Sequence, residues 1–274
     1  MFYKSLGAAF VTASFLAATP VIANDADALF EALGMPEIIE IMRAEGIDYG
    51  AQIGTDLFPT RVNAAWSATV ETIYNPEIMQ ARVRADFVSS LEGDDVAGML
   101  DFFTSDPGRT FAGLEVSARR ALLDDAVQEA SDEMAAMAVK DNTERFQLLD
   151  RFVQTNDLIE TNVVGALNSN YEFYMGLMAG GAFDDALTEE QILSDVWDQE
   201  ADIRANTAEW VYSFLMLAYD PASDSDIETY IAFSESEAGK QLNTTLFDAF
   251  DDLFDDISYT LGLEAARMMA GAEL

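Results

Sequence analysis

The sequence predicts an all-α protein: two tandem copies of a multi-helix unit, packed as a helical bundle-like array. Three observations predict it. Apolar residues recur at helical spacing, as in Met99, Phe102, Phe103 and again in Ile227, Tyr230, Ile231. That is the i, i+3, i+4 pattern of a helix with one buried stripe. No stretch keeps a two-residue alternation, and the Val/Ile/Thr-rich runs that mark strands are missing. Finally, a segment beginning at Asp95 returns at Asp226, an offset of 131 residues.

Taken in chain order, residues 1–23 read as a secretory signal peptide. Lys4 is the only charge before Asp25, Leu6 to Ala18 is apolar and small, Pro20 breaks the run, and Val21-Ile22-Ala23 suits a signal peptidase. The apolar stretch is shorter than the roughly 20 residues of a spanning helix. The expected mature chain is therefore periplasmic or secreted, with a first helical repeat over 24–145 and a second over 146–274. No transmembrane segment is expected in it. The most apolar run, Trp210 to Tyr219, reads as a buried helix face.

Helix boundaries are legible from local chemistry. Pro36, Pro76 and Pro107 suit first turns. Thr188-Glu-Glu-Gln191 has the form of a capping box. Gly180-Gly181 and Asp220-Pro221 read as breaks.

The repeat is the most specific feature. At one register Asp95/Asp226, Phe102/Phe233, Ser105/Ser236, Gly108/Gly239, Ala118/Ala249, Leu122/Leu253 and Asp124-Asp125/Asp255-Asp256 coincide, and Trp66 falls on Trp197. Allowing a gap, Ile38-Ile39-Glu40 matches Leu158-Ile159-Glu160 and Tyr49 matches Tyr171. Each copy then carries an acidic residue in the first turn of a short helix, an aromatic anchor, and a serine N-cap for a longer helix. Gly108 or Gly239 follows about three residues into that helix. Glycine there costs about 1 kcal/mol relative to alanine, so a second helix is expected to pack close against it.

The run Phe102-Phe103-Thr-Ser105-Asp-Pro107-Gly108, and its echo Phe233-Ser-Glu-Ser236-Glu-Ala-Gly239, resembles exported bacterial proteins of domain of unknown function family 2059. The proline stands one place late in the first copy. The second copy lacks the proline and the second aromatic. What the resemblance implies is an all-helical periplasmic protein, with no activity and no catalytic residue carried over.

Composition narrows the chemistry. The chain has 14 basic and 50 acidic residues, a net charge of −36, and neither histidine nor cysteine. It therefore offers no imidazole acid–base catalyst, no Ser-His-Asp triad, no thiolate and no Cys-ligated metal. Such a charge repels phosphate backbones, so no nucleic-acid partner is expected. Acids crowd the stretch from Asp184 to Asp256, where only Arg204 and Lys240 are basic.

The remaining candidates are weighed as follows. Ser105 and Ser236 are expected to cap helices, because no base stands ready to activate them. Asp124-Asp125, Asp251-Asp252 and Asp255-Asp256 are expected on long helices. There Asp251/Asp255 and Asp252/Asp256 form like-charged pairs that Ca²⁺ or Mg²⁺ would relieve. The run from Asp224 to Glu235 imitates a calcium loop but has Thr229 where glycine is required, so it reads as a helix start. Trp66, Trp197 and Trp210, with Met134/Met137 and Met268-Met269, are expected mainly in the core, and the duplicated Trp66/Trp197 suggests a shared packing role. No catalytic, cofactor-binding or metal-binding residue is assigned and no cofactor is expected. The functional expectation is a non-catalytic exported protein that binds or scaffolds an unknown protein or small-molecule partner. The alternative is a divalent-cation-binding module or metal-dependent hydrolase using acidic helix faces, with weak cation binding.

Overall fold

A computed structural model describes residues 21–58, 64–91, 96–183 and 188–272. Among them the chain forms helices and no strand: α1 (Val21–Ala32), α2 (Met35–Leu57), α3 (Ala64–Ile73), α4 (Pro76–Ser90), α5 (Val96–Thr104), α6 (Asp106–Ala121), α7 (Asp125–Asp141), α8 (Glu144–Thr155), α9 (Leu158–Ala179), α10 (Glu189–Trp197), α11 (Glu200–Tyr219), α12 (Asp224–Ser234) and α13 (Glu237–Ala272). The expected leader lies outside the described residues, apart from the three that open α1. Asp95 also lies outside them. No described helix is long and apolar enough to cross a membrane.

The local signals act where the chemistry places them. Pro36, Pro76 and Pro107 stand in first turns, where the missing N–H costs nothing. The Thr188 hydroxyl accepts from Gln191 N–H while the Gln191 side chain returns to the Thr188 N–H, a complete capping box. Gly181 takes the left-handed conformation, φ 81°, just past the end of α9.

The elements run in the same order twice. α1 to α5 are followed in the second half by α8 to α12. At the offset of 131, α6 and α7 together span the same stretch as the single long α13: Asp106 falls on Glu237 and Asp141 on Ala272. The difference between the halves is a break. Asp124 is not in a long helix; it caps α7, its carboxylate accepting from Ala126 N–H at 2.9 Å, and Asp125 opens that helix. At the matching place α13 continues, and there the carboxylates have tertiary partners. Asp255 accepts from the Ser169 hydroxyl at 3.3 Å and Asp256 pairs with Arg82.

The halves exchange their long helices. The larger core joins Leu29, Phe30, Trp66, Val83, Phe87 and Phe103 of the first half to Leu253, Ile257, Leu261 and Ala265 of α13. The second core joins Phe111 and Ala118 of α6 to Leu149, Phe152, Leu215, Tyr219, Ile227 and Ile231 of the second half. Several contacts across the halves come in matched pairs: α13 lies on α4 while α7 and α6 lie on α11, and α13 touches α5 while α6 touches α12, although the extensive α13–α9 seam has only a slight counterpart between α6 and α2. Such reciprocity is what a two-fold relation between equivalent surfaces generates. At its centre the equivalent residues Phe102 and Phe233 stack on each other, rings 4.0 Å apart and 8° from parallel.

Glycines set two tight seams. Gly46, Gly50 and Gly54 of α2 face Tyr74, just past α3, and Val70 and Trp66 of α3, and the Trp66 indole donates to Gly50 O at 2.7 Å. α9 and α13 run parallel in one register of 86 residues. Gly176 lies against the Tyr259 carbonyl and Gly262 against the Phe173 carbonyl, so a Cβ at either position would overlap the neighbouring backbone. Gly180 meets Ala266 in the same register. A small residue every fourth position is what allows two helix backbones to approach this closely.

Candidate functional site

The repeated motif forms the same structure in both copies. The Ser105 hydroxyl accepts from Gly108 N–H at 3.3 Å and donates to Phe102 O at 2.5 Å; Ser236 does the same with Gly239 at 3.0 Å and Phe233 at 2.6 Å. Each glycine sits under the end of the preceding helix. A Cβ on Gly108 would overlap Phe102 O and lie 2.7 Å from Phe103 Cα. One on Gly239 would overlap Phe233 O and lie 2.7 Å from Ser234 Cα. The close helix is thus the one just before in the chain. Both serine oxygens are engaged in both directions, as helix caps are.

The acidic pairs of α13 separate onto two faces. Asp251 and Asp255 are half-buried against α9, beside Gly165 and Ser169; Asp252 and Asp256 are exposed. Burial, and then Asp255, Asp248 and Asp252 nearby, push Asp251 up to about 6. Burial raises Asp255 against the opposing Ser169 hydrogen bond, and burial with Asp255 and Asp256 raises Glu172. No three acidic side chains among the described residues are placed to hold a metal ion. The Asp224–Glu235 run is a helix start, capped by Ser223. Arg145 pairs with Asp224 at 3.2 Å and Arg151 with Glu228.

One cluster that the sequence does not single out lies at the joint between the halves. α6 brings Glu115 to Tyr219 of α11 and Tyr230 of α12. The Tyr219 hydroxyl donates to Glu115 Oε1 at 2.5 Å, and Tyr230 also hydrogen-bonds the carboxylate. Phe111 and Phe152 close the surroundings, with ring centroids 4.8–5.6 Å from the two tyrosines. Burial pushes Glu115 up to about 7, and the tyrosine hydrogen bonds only partly offset it. Both tyrosines are raised by burial first and then by the Glu115 charge. The cluster joins α6 of the first half to α11 and α12 of the second. Its equivalent in the other half is absent, since Leu246 stands where the offset places Glu115.

The tryptophans divide. Trp66 is fully buried, as expected of core, but Trp197 is 66% exposed, so the shared packing role fails. The offset of 131 does not hold through this region. Trp66 is the third residue of α3, whereas Trp197 is the last of α10. Ile192 and Val196, not Trp197, pack α10 on Val163 and Leu167 of α9. Trp210 is half-buried, stacked on Phe214 at 5.4 Å with the Arg119 guanidinium 5.6 Å above it. Met268 and Met269 pack on the larger core, whereas Met137 is 60% exposed and not core.

Several arginines tie helices together. Arg119 forks onto Glu45 at 2.8 and 3.1 Å, tying α6 to α2. Arg84 joins α4 to Asp27 and Glu31 of α1, and Arg204 joins α11 to Glu160 of α9 at 2.8 Å. These clamps hold helices together and leave the outer surface dominated by carboxylates.

Compared with known proteins, the chain matches no family model, no curated protein and no solved structure.

Proposed function

We propose that the chain is an exported, non-catalytic helical protein that binds or scaffolds a protein or small-molecule partner in the bacterial periplasm. The observation that carries this reading is the interlock. Two equivalent units place long helices in each other's cores and stack Phe102 on Phe233, and the chain carries a net charge of −36. Ser105 and Ser236 cap helices, Asp255 accepts from Ser169, and Asp256 pairs with Arg82. The leader-like N-terminus and the motif resemblance to family 2059 support the compartment. Capture with the tagged chain from a periplasmic extract, at low and moderate salt, tests the reading. A partner retained in stoichiometric amount is expected, and failure to retain any partner or ligand at either salt overturns it.

The alternative is a divalent-cation-binding module. It draws support from Asp251 and Asp255, like-charged neighbours on α13, and from Glu172 of α9, which the Asp255 and Asp256 charges push up across the seam. It requires a saturable rise in melting temperature with Ca²⁺ or Mg²⁺ that is lost when Asp251 and Asp255 become asparagine.

A further inference from the structure

We propose that the outer face of α10 is a docking site for a basic amphipathic helix of a partner protein. α10 is apolar on two faces at once. Ile192 and Val196 point inward onto α9, while Leu193 and Trp197, four residues apart and so on one face, are 56% and 66% exposed. The matching helix of the first half is built differently. α3 also packs two residues inward, Trp66 and Val70, but its exposed positions are Ala64, Ala65, Ser67, Ala68, Glu71 and Thr72. The same element at the same place in the architecture thus does without exposed large apolar side chains. Those on α10 are a property of this helix and not a requirement of the fold. A tryptophan so open to water, beside a leucine, has the composition of an interface anchor.

Charge selects the occupant. Glu190, one turn before Leu193 on the same face, and Asp198, next to Trp197, are exposed and form no ion pair with a described residue, and from Asp184 to Asp256 only Arg204 and Lys240 are basic. A second copy would bring the same carboxylates against these. Anionic lipid and nucleic acid would be repelled likewise. A segment with apolar residues along one stripe and Lys or Arg on its flanks satisfies both features: the stripe covers Leu193 and Trp197 and the cations meet the rim. The inference rests on the binding reading above and assigns it a surface and a partner chemistry.

The test uses the full chain and a synthetic helical peptide with leucines on one face and lysines on the other. Controls are the same peptide with glutamates for lysines, and a lysine-only peptide of equal charge. Trp197 is the exposed indole, so its emission should shift to shorter wavelength on binding. Leu193→Ser with Trp197→Ser should weaken binding at least tenfold, the loss of an anchor worth about 1.4 kcal/mol. Both side chains are exposed, so the variant should keep the circular dichroism of the parent. Equal affinity of parent and variant, equal affinity for the lysine-only peptide, or no binding at all overturns the proposal. The scaffold reading would survive each of these results, because it falls only if the capture experiment retains nothing.

Discussion

Replacing Glu115 with glutamine should make the protein more stable at pH 8 and should have a much smaller effect at pH 5. Glu115 ionises at about 7 in the folded chain against an ordinary value of 4.5, because its carboxyl is buried among Phe111, Phe152, Tyr219 and Tyr230. A carboxyl raised in this way binds its proton more tightly folded than unfolded. Its contribution is therefore neutral below pH 4.5, becomes progressively unfavourable as pH rises to 7, and stays constant above. The ceiling on that penalty is about 3 kcal/mol, at 1.36 kcal/mol per pH unit. Glutamine keeps an oxygen to accept from Tyr219 but carries no charge. Urea unfolding followed by circular dichroism at pH 5 and pH 8 reads the difference. For a chain of this size the gain at pH 8 corresponds to roughly 6–12 °C in melting temperature. The general relief of self-repulsion at low pH acts on both proteins and cancels in the comparison. Equal stability of Glu115→Gln and parent at pH 8, or a gain at pH 5 as large as at pH 8, would refute the reasoning.

Other outcomes follow from the same geometry. Gly176→Ala or Gly262→Ala should destabilise by several times more than the roughly 1 kcal/mol that alanine gains in helix propensity, since the methyl overlaps a backbone carbonyl of the partner helix. Gly113→Ala, which meets open space in α6, should stabilise by about 1 kcal/mol, and chemical denaturation of the three variants checks both signs. Ser105→Ala and Ser236→Ala should each cost about 1 kcal/mol, the loss of one N-cap. Thr245→Val should be neutral or stabilising, because the buried Thr245 hydroxyl has no hydrogen-bond partner, and a melting temperature lowered by several degrees would contradict that. Millimolar Ca²⁺ should raise the melting temperature no more than a monovalent salt of equal ionic strength. A saturable excess would instead favour the cation-binding alternative.

The parts of the fold that were legible in the sequence are those governed by neighbours in the chain. The Ser-x-x-Gly capping turns, the capping box at Thr188 and the first-turn prolines are fixed within four residues, so their chemistry reads directly. Trp66 and Trp197 misled because an identity at a fixed offset does not survive a change in the length of the segments between helices. Asp124 misled in the opposite way: it aligns with Asp255, but one carboxylate caps a helix where the other finds Ser169 across a seam. Glu115 looked like any acid on an amphipathic helix. Only α11 and α12, more than 100 residues away, bury it. The glycine seams did leave a trace that could have been used. Gly46, Gly50 and Gly54, then Gly176 and Gly180 with Gly262 and Ala266, all recur every fourth position.

The central claim is that the two halves are one interlocked body, and differential scanning calorimetry tests it most directly. Shared cores and exchanged helices predict a single transition whose calorimetric enthalpy is about equal to its van't Hoff enthalpy. Two resolved transitions, or a calorimetric enthalpy about twice the van't Hoff value, would mean that the halves unfold independently and would contradict the account.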